Sequence, residues 1–289
     1  MTLATTADLV ASATATGTAV LAFNAITLEH AEGIAEGVER AGAAALIQIS
    51  ENTIRFHGGR VAPLATACAR IAQSSTAALA VHLDHLQQVP LIEEAISSAA
   101  ELGVTSIMVD AAHLPYGDNV AQTRAVAARA HTAGLWVEAE LGQVGGKGGQ
   151  VLAAHAPGAR TDPAEAAAFV ADTGVDGLAV AVGSSHAMST RDARLDVELI
   201  ARLAAAVSTP LVLHGSSGVP DDQLRAAAAA GIRKVNIGTA LNLAYTGAVR
   251  QVLGADAVAT DPRTYVSAGR QAIADTVAEL CGVVERVRR

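Results

Sequence analysis

One pattern recurs along most of the chain: a short β-branched apolar run, a polar or glycine-rich turn, then an alanine-rich stretch with helical spacing. The apolar runs are 19–25 (AVLAFNA), 45–50 (ALIQIS), 78–85 (ALAVHLDH), 104–110 (VTSIMVD), 135–140 (LWVEAE), 175–183 (VDGLAVAVG), 210–215 (PLVLHG) and 232–238 (IRKVNIG). Runs this short and apolar, each followed by a helical segment, predict parallel strands buried on both faces. The helical segments lie near 30–41, 61–74, 88–102, 119–133, 163–173, 196–207, 221–230 and 240–253. Thr161-Asp162-Pro163 and Pro220-Asp221-Asp222 mark helix starts, and Gly134, Gly174 and Gly231 mark helix ends. Eight strands alternating with eight helices predict an α/β fold, a single (β/α)8 TIM barrel over residues 1–289. Residues 255–289 exceed what a barrel needs and form a C-terminal extension, read as an extra helix, an interface arm, or both. An open doubly wound sheet is the competing arrangement.

The polar residues favour the barrel. Asn24, Ser50, Asp84 with His85, Asp110, Glu140, His214 and Asn236 each fall at the C-terminal end of a predicted strand, and His186 follows its strand closely. In a barrel all eight strand ends converge on one face, which is where such enzymes gather their chemistry. One polar strand end is a turn former, whereas a full ring of them points to a site.

Composition narrows the rest. At 289 residues, 51% hydrophobic and 17% charged, the chain has enough apolar matter for a large core. A net charge of −8 leaves no basic footprint for nucleic acid. Cys68 and Cys281 are too few for a disulfide scaffold. The apolar runs are too short for a membrane span, and MTLATTADLV has neither a basic segment nor a hydrophobic signal core, so a cytoplasmic protein is expected.

His85, His186 and His214 are expected together at the barrel mouth, where three neutral imidazoles would make a zinc set with one coordination place open for substrate. The bland alternative makes each a polar cap. Asp84 precedes His85, and alternating strand side chains cannot both point inward unless the backbone turns at the strand's end. There Asp84 either exchanges a proton with a substrate hydroxyl or orients an imidazole from behind. His82 has the parity of Asp84 and supports the site from below. Asp110 and Glu140 are candidates for a second or alternate metal position, or are structural acids. The loops Gly215-Ser216-Ser217-Gly218 and Asn236-Ile237-Gly238-Thr239 follow strands 7 and 8, where barrels commonly bind phosphate. The glycine-rich stretch Gly142-Gln143-Val144-Gly145-Gly146-Lys147-Gly148-Gly149 reads as a lid or an unstructured loop.

The motifs HLDH, VEAELGQVGG, GSSHA, LVLHGSSGVP and KVNIGTAL, in that order, resemble the class II metal-dependent ketose-bisphosphate aldolases, the family of fructose- and tagatose-1,6-bisphosphate aldolases. The resemblance runs from AFNAITLE near the start to DPRTYVSAG near the end. It implies reversible aldol cleavage of a ketose 1,6-bisphosphate, fructose 1,6-bisphosphate foremost, to dihydroxyacetone phosphate and an aldehyde such as glyceraldehyde 3-phosphate. It implies zinc on His85, His186 and His214, Asp84 as the proton-transfer group, and Asp110 and Glu140 at a second metal position. A monovalent cation is left open. Gly215, Ser217, Asn236 and Thr239 match triose-phosphate contacts, with Ala187, Ser216, Ile237 and Gly238 beside them, and Asn24 and Ser50 match pocket residues. Arg263 matches an arginine that reaches the distal phosphate from a neighbouring subunit, implying a homodimer or homotetramer.

Three positions depart from the family pattern. Gly148 stands where a loop glutamate is usual, Ala187 follows the second histidine in place of glycine, and Thr190 replaces a lysine, with Arg191 beside it. Competing readings are an aldolase for tagatose 1,6-bisphosphate or another sugar phosphate, a Schiff-base aldolase using Lys234, and a sugar-phosphate-binding barrel without turnover.

Overall fold

Each strand changes character along its length, and that gradient organises the fold. In the computed structural model, which describes residues 3–141, 160–184 and 190–285, eight parallel strands close into a barrel in chain order. They are β1 (Val20–Asn24), β2 (Ala44–Ser50), β3 (Ala78–Leu86), β4 (Ser106–Val109), β5 (Trp136–Leu141), β6 (Gly177–Val180), β7 (Leu211–Leu213) and β8 (Ile232–Ile237). Alternate residues face the helical layer or the barrel interior. In β5, Val137 and Ala139 join the large core under the helices, while Trp136, Glu138 and Glu140 share the opposite parity. The interior is apolar at the N-terminal end, where Val20, Ala22, Leu46, Ala80, Trp136, Ala179 and Val212 pack together, and polar towards the C-terminal end.

The helices fall where the sequence places them. They include α2 (Leu28–Ala41), α4 (Ala62–Ser74), α5 (Val89–Leu102), α6 (Tyr116–Thr132), α7 (Pro163–Thr173), α8 (Val197–Ala206), α9 (Asp221–Ala230) and α10 (Thr239–Ala255). Asp162 caps α7 by accepting from the amides of Ala164 and Glu165. The extension forms α11 (Pro262–Glu285), which packs against α2 and α10. The approach to α2 is close: a Cβ on Gly37 would lie 2.5 Å from the Ala274 carbonyl oxygen.

Two helices were not expected. The first, α1 (Thr6–Thr16), is capped by Thr5 and inserts Leu9, Val10 and Ala13 into the apolar end of the barrel. Its threonine- and alanine-rich sequence has a weak apolar stripe, so only the open barrel end specifies it. The second, α3 (Glu51–Phe56), starts at Ser50, whose hydroxyl accepts from the Thr53 amide.

Trp136 is the only tryptophan and fills the barrel next to Gly177, where a built Cβ would overlap the indole ring. Gly177→Val should therefore overpack this layer, costing about 1–3 kcal/mol. The expected readings are a lower Tm and an altered Trp136 emission; wild-type values for both would show that the layer has slack.

Candidate active site

The end of β3 delivers two adjacent side chains to one place. β3 pairs with β4 through His82–Ser106 and Leu83–Ile107, then resumes at Leu86–Val109, so one extra residue is accommodated between. His85 takes up the irregularity with φ 53°, in the left-handed region that residues other than glycine seldom adopt. That turn breaks the alternation and lets Asp84 and His85 both serve the mouth. Backbone conformations of this kind persist where the surroundings enforce them, often at functional sites.

His85 Nδ1 is 3.2 Å from Asp110 Oδ2 and 3.8 Å from Glu140 Oε2, and its Nε2 is 3.7 Å from Asp84 Oδ2. Gln87 Nε2 also donates to Asp110 Oδ2, at 3.0 Å. The His85 and His214 rings meet edge to face with centroids 4.8 Å apart. Potential donor atoms of Asp84, His85 and His214 lie within 4.8 Å of one another, as do those of His85, Asp110 and Glu140. Imidazole and carboxylate donors converging in this way fit a divalent cation such as zinc. His186 and Ala187 lie outside the described residues, as does the loop carrying Lys147 and Gly148.

Asp84 is 2% exposed. Its carboxylate accepts weakly from Gln48 Nε2 at 3.4 Å and Asn236 Nδ2 at 3.5 Å, and Gln48 also donates to Asn24. Burial alone pushes the Asp84 carboxyl up, but the imidazoles of His85, His214 and His82, with Lys234, outweigh it and hold it below its ordinary value. It is therefore an ionised proton acceptor at neutral pH.

Beneath lies a buried polar layer. Glu138 Oε1 accepts from His214 Nε2 at 2.8 Å and its Oε2 from Lys234 Nζ at 2.8 Å, while Nζ also donates to Asn236 Oδ1 at 2.7 Å. Burial opposes ionisation of Glu138, but Lys234 and His214 overcome it and hold the carboxyl far below the usual range. His82 Nδ1 bonds the Ser106 hydroxyl at 2.8 Å. Burial, then Lys234, push the His82 imidazole down from 6.5 to about 3.

The unfolded chain consequently binds a proton at His82 throughout the window from 6.5 down to about 3, which the folded, metal-free protein does not. Stability should fall as pH drops through that window. His82→Asn should flatten the dependence of Tm on pH between about pH 5 and 6.5, where carboxylates stay ionised. A profile as steep as wild type would assign the slope to other groups.

A cavity of about 400 Å³ opens above this floor, lined by Asn24, Gln48, Ser50, Asp84, His85, Asn236 and the turns after β7 and β8. Gly215 has φ 65° and leads a single 3₁₀ turn, Ser216–Gly218. Ser216, Ser217, Gly238 and Thr239 line the same wall, and Ser217 Oγ accepts from the Ala240 amide at the start of α10. Gly238 lies close against Asn24, since a Cβ there would be 3.3 Å from the Asn24 side chain.

Three of the sequence candidates do not line this cavity. Ile237 is 1% exposed and packs in the core under the helices, away from the cavity, because its parity is opposite to Asn236. Arg263 lies outside the cavity of its own chain; its side chain is 89% exposed and pairs with Asp261. Lys234, the candidate Schiff-base amine, does face inward, but it is fully buried and held by Glu138 and Asn236. Glu138 and Gln48 were missed. Their signal was parity, a polar residue two positions before a strand-end polar residue, as in Glu138 before Glu140.

The model of the class II fructose-bisphosphate aldolase family matches residues 4–288. The chain belongs to that family. Like the family, this class II aldolase is a metal-dependent carbon–carbon lyase. It is 29% identical to the YdjI aldolase of Escherichia coli K12, with a TM-score of 0.80 over 98% of this chain and 97% of that one. A protein of Coccidioides immitis provisionally designated a fructose-1,6-bisphosphate aldolase is 26% identical, with a TM-score of 0.84 over 98% and 96%. The fructose-bisphosphate aldolase Fba of Campylobacter jejuni, 18% identical, shares the fold with a TM-score of 0.79 over 98% and 94%.

Proposed function

We propose that this class II aldolase reversibly cleaves a ketose 1,6-bisphosphate, fructose 1,6-bisphosphate foremost, to dihydroxyacetone phosphate and glyceraldehyde 3-phosphate. Zinc is its cofactor, held by His85, His186 and His214, with Asp110 and Glu140 beside His85 as an alternate position. The observation that carries this reading is the meeting of the fully buried His214 with His85 and the Asp84 carboxylate, the last two lining a cavity walled by the turns after β7 and β8. When bound, zinc supplies a Lewis acid for the ketose carbonyl and for the charge that develops as the C3–C4 bond breaks.

Asp84 accepts the C4 hydroxyl proton in cleavage and returns it in condensation. Gln48 and Asn236 hold its two oxygens in place for that transfer. Gly215, Ser216 and Ser217 meet Gly238 and Thr239 beside the start of α10, where backbone amides and the helix dipole favour a phosphate. Asn24, close against Gly238, and Ser50 line the same cavity and are placed to contact the sugar chain. Anchoring the phosphate holds the reacting carbons near Asp84. Arg263, exposed in its own chain, acts on the distal phosphate of a neighbouring subunit in a homodimer or homotetramer. No helix among the described residues is long and apolar enough to cross a membrane, and we place the enzyme in the cytoplasm.

A retro-aldol assay of zinc-loaded protein against both bisphosphate C4 epimers and a ketose 1-phosphate tests the reading. Cleavage of fructose 1,6-bisphosphate, abolished by chelator and restored by zinc, is expected. Preferential cleavage of the tagatose epimer or the monophosphate would reassign the substrate. His214→Ala should release zinc, read as metal per chain; full occupancy would remove His214 from the ligand set.

A further inference from the structure

We infer that Glu138, anchored by Lys234, is a positioning residue that locks His214 in the tautomer protonated at Nε2 and so sets the affinity of the mouth for its metal ion. The inference rests on the proposal above that His214 is a ligand. It begins with the acceptor count. A carboxylate without a proton only accepts hydrogen bonds, and Lys234 Nζ, 2.8 Å from Oε2, favours that ionised form. The His214 nitrogen facing Oε1 at 2.8 Å is therefore the N–H. In a neutral ring the lone pair is then on Nδ1, the edge 3.7 Å from Glu140 Oε2 and towards the His85 cluster. The opposite tautomer would turn a proton towards the ion.

Stability alone is a poor account of this layer. Glu138, Lys234 and His214 are fully buried, and buried ion pairs rarely outperform apolar residues of similar volume. The arrangement is specific as well, because each Glu138 oxygen takes one donor, His214 just after β7 and Lys234 in β8. Lys234 has a second arm: its bond to Asn236 Oδ1 turns the Asn236 amide so that Nδ2 faces Asp84. One buried lysine thereby orients groups on both the metal side and the proton side of the site. A carboxylate behind a ligating histidine fixes ring orientation and raises ligand basicity, and its loss typically weakens metal binding by about 10- to 100-fold.

The first test needs no metal and no Glu138 variant. Long-range ¹H–¹⁵N spectra of the metal-free wild type, with His214 assigned through His214→Asn, should show the Nε2–H tautomer. A dominant Nδ1–H form would overturn the inference. The second measures zinc affinity by chelator competition in two double variants that remove both buried charges. Glu138→Ala with Lys234→Met should bind zinc about 10- to 100-fold more weakly than wild type. Glu138→Gln with Lys234→Met keeps an acceptor for the Nε2 proton and should recover most of that loss, which a merely space-filling role would not produce. If His214→Ala loses zinc while the alanine double variant binds within about twofold of wild type, the inference fails and the metal reading stands. If His214→Ala binds zinc as tightly as wild type, the metal reading fails and takes this inference with it.

Discussion

Asp84→Ala is expected to lose about 10²- to 10⁴-fold in retro-aldol turnover, the usual contribution of a positioned proton-transfer group, while keeping its zinc. The carboxylate is 2% exposed, ionised, and aimed by Gln48 and Asn236 rather than by solvent. No water at that depth reproduces its placement, so the loss should appear in kcat more than in KM. Asp84→Asn separates charge from shape. It keeps the volume and loses the base, and should be nearly as impaired as the alanine variant. Metal per chain and turnover measured on the same preparation decide the matter. Zinc loss in step with activity would make Asp84 a ligand or a support for one, while near-wild-type turnover would move the proton transfer to another group.

Lys234→Met is expected to destabilise the fold by about 3–5 kcal/mol, the cost of leaving one member of a buried ion pair without its partner. Methionine fills similar space and supplies no donor. Glu138 then keeps only the His214 N–H, and Asn236 loses its anchoring bond. Glu138→Gln added to Lys234→Met should restore most of the lost Tm, because the stranded charge goes with it. A single variant as stable as wild type in chemical denaturation would mean that water reaches the pair.

Much of this architecture was legible from alternation and punctuation. The eight strands and the helices after them fall within a few residues of expectation, since short β-branched runs and capped alanine-rich stretches each suit one local conformation. The family motifs likewise pointed to the strand ends that line the cavity. What escaped was non-local. The α1 plug has little amphipathic signal, and its burial depends on the apolar barrel end it closes. Gln48 and Glu138 sit inside strands, where a polar residue reads as an outward-facing exception until the barrel closes around it.

The barrel, its helix caps and the ring of polar strand ends follow from periodicity and local backbone preference along the chain. How those ends meet depends on closure of the barrel. The irregular end of β3 turns His85 beside Asp84, and closure brings β5, β7 and β8 close enough for Lys234 to hold Glu138 and Glu138 to hold His214. Contacts between residues 76 and 96 positions apart leave no trace in local pattern, since their energy exists only once the interior excludes water.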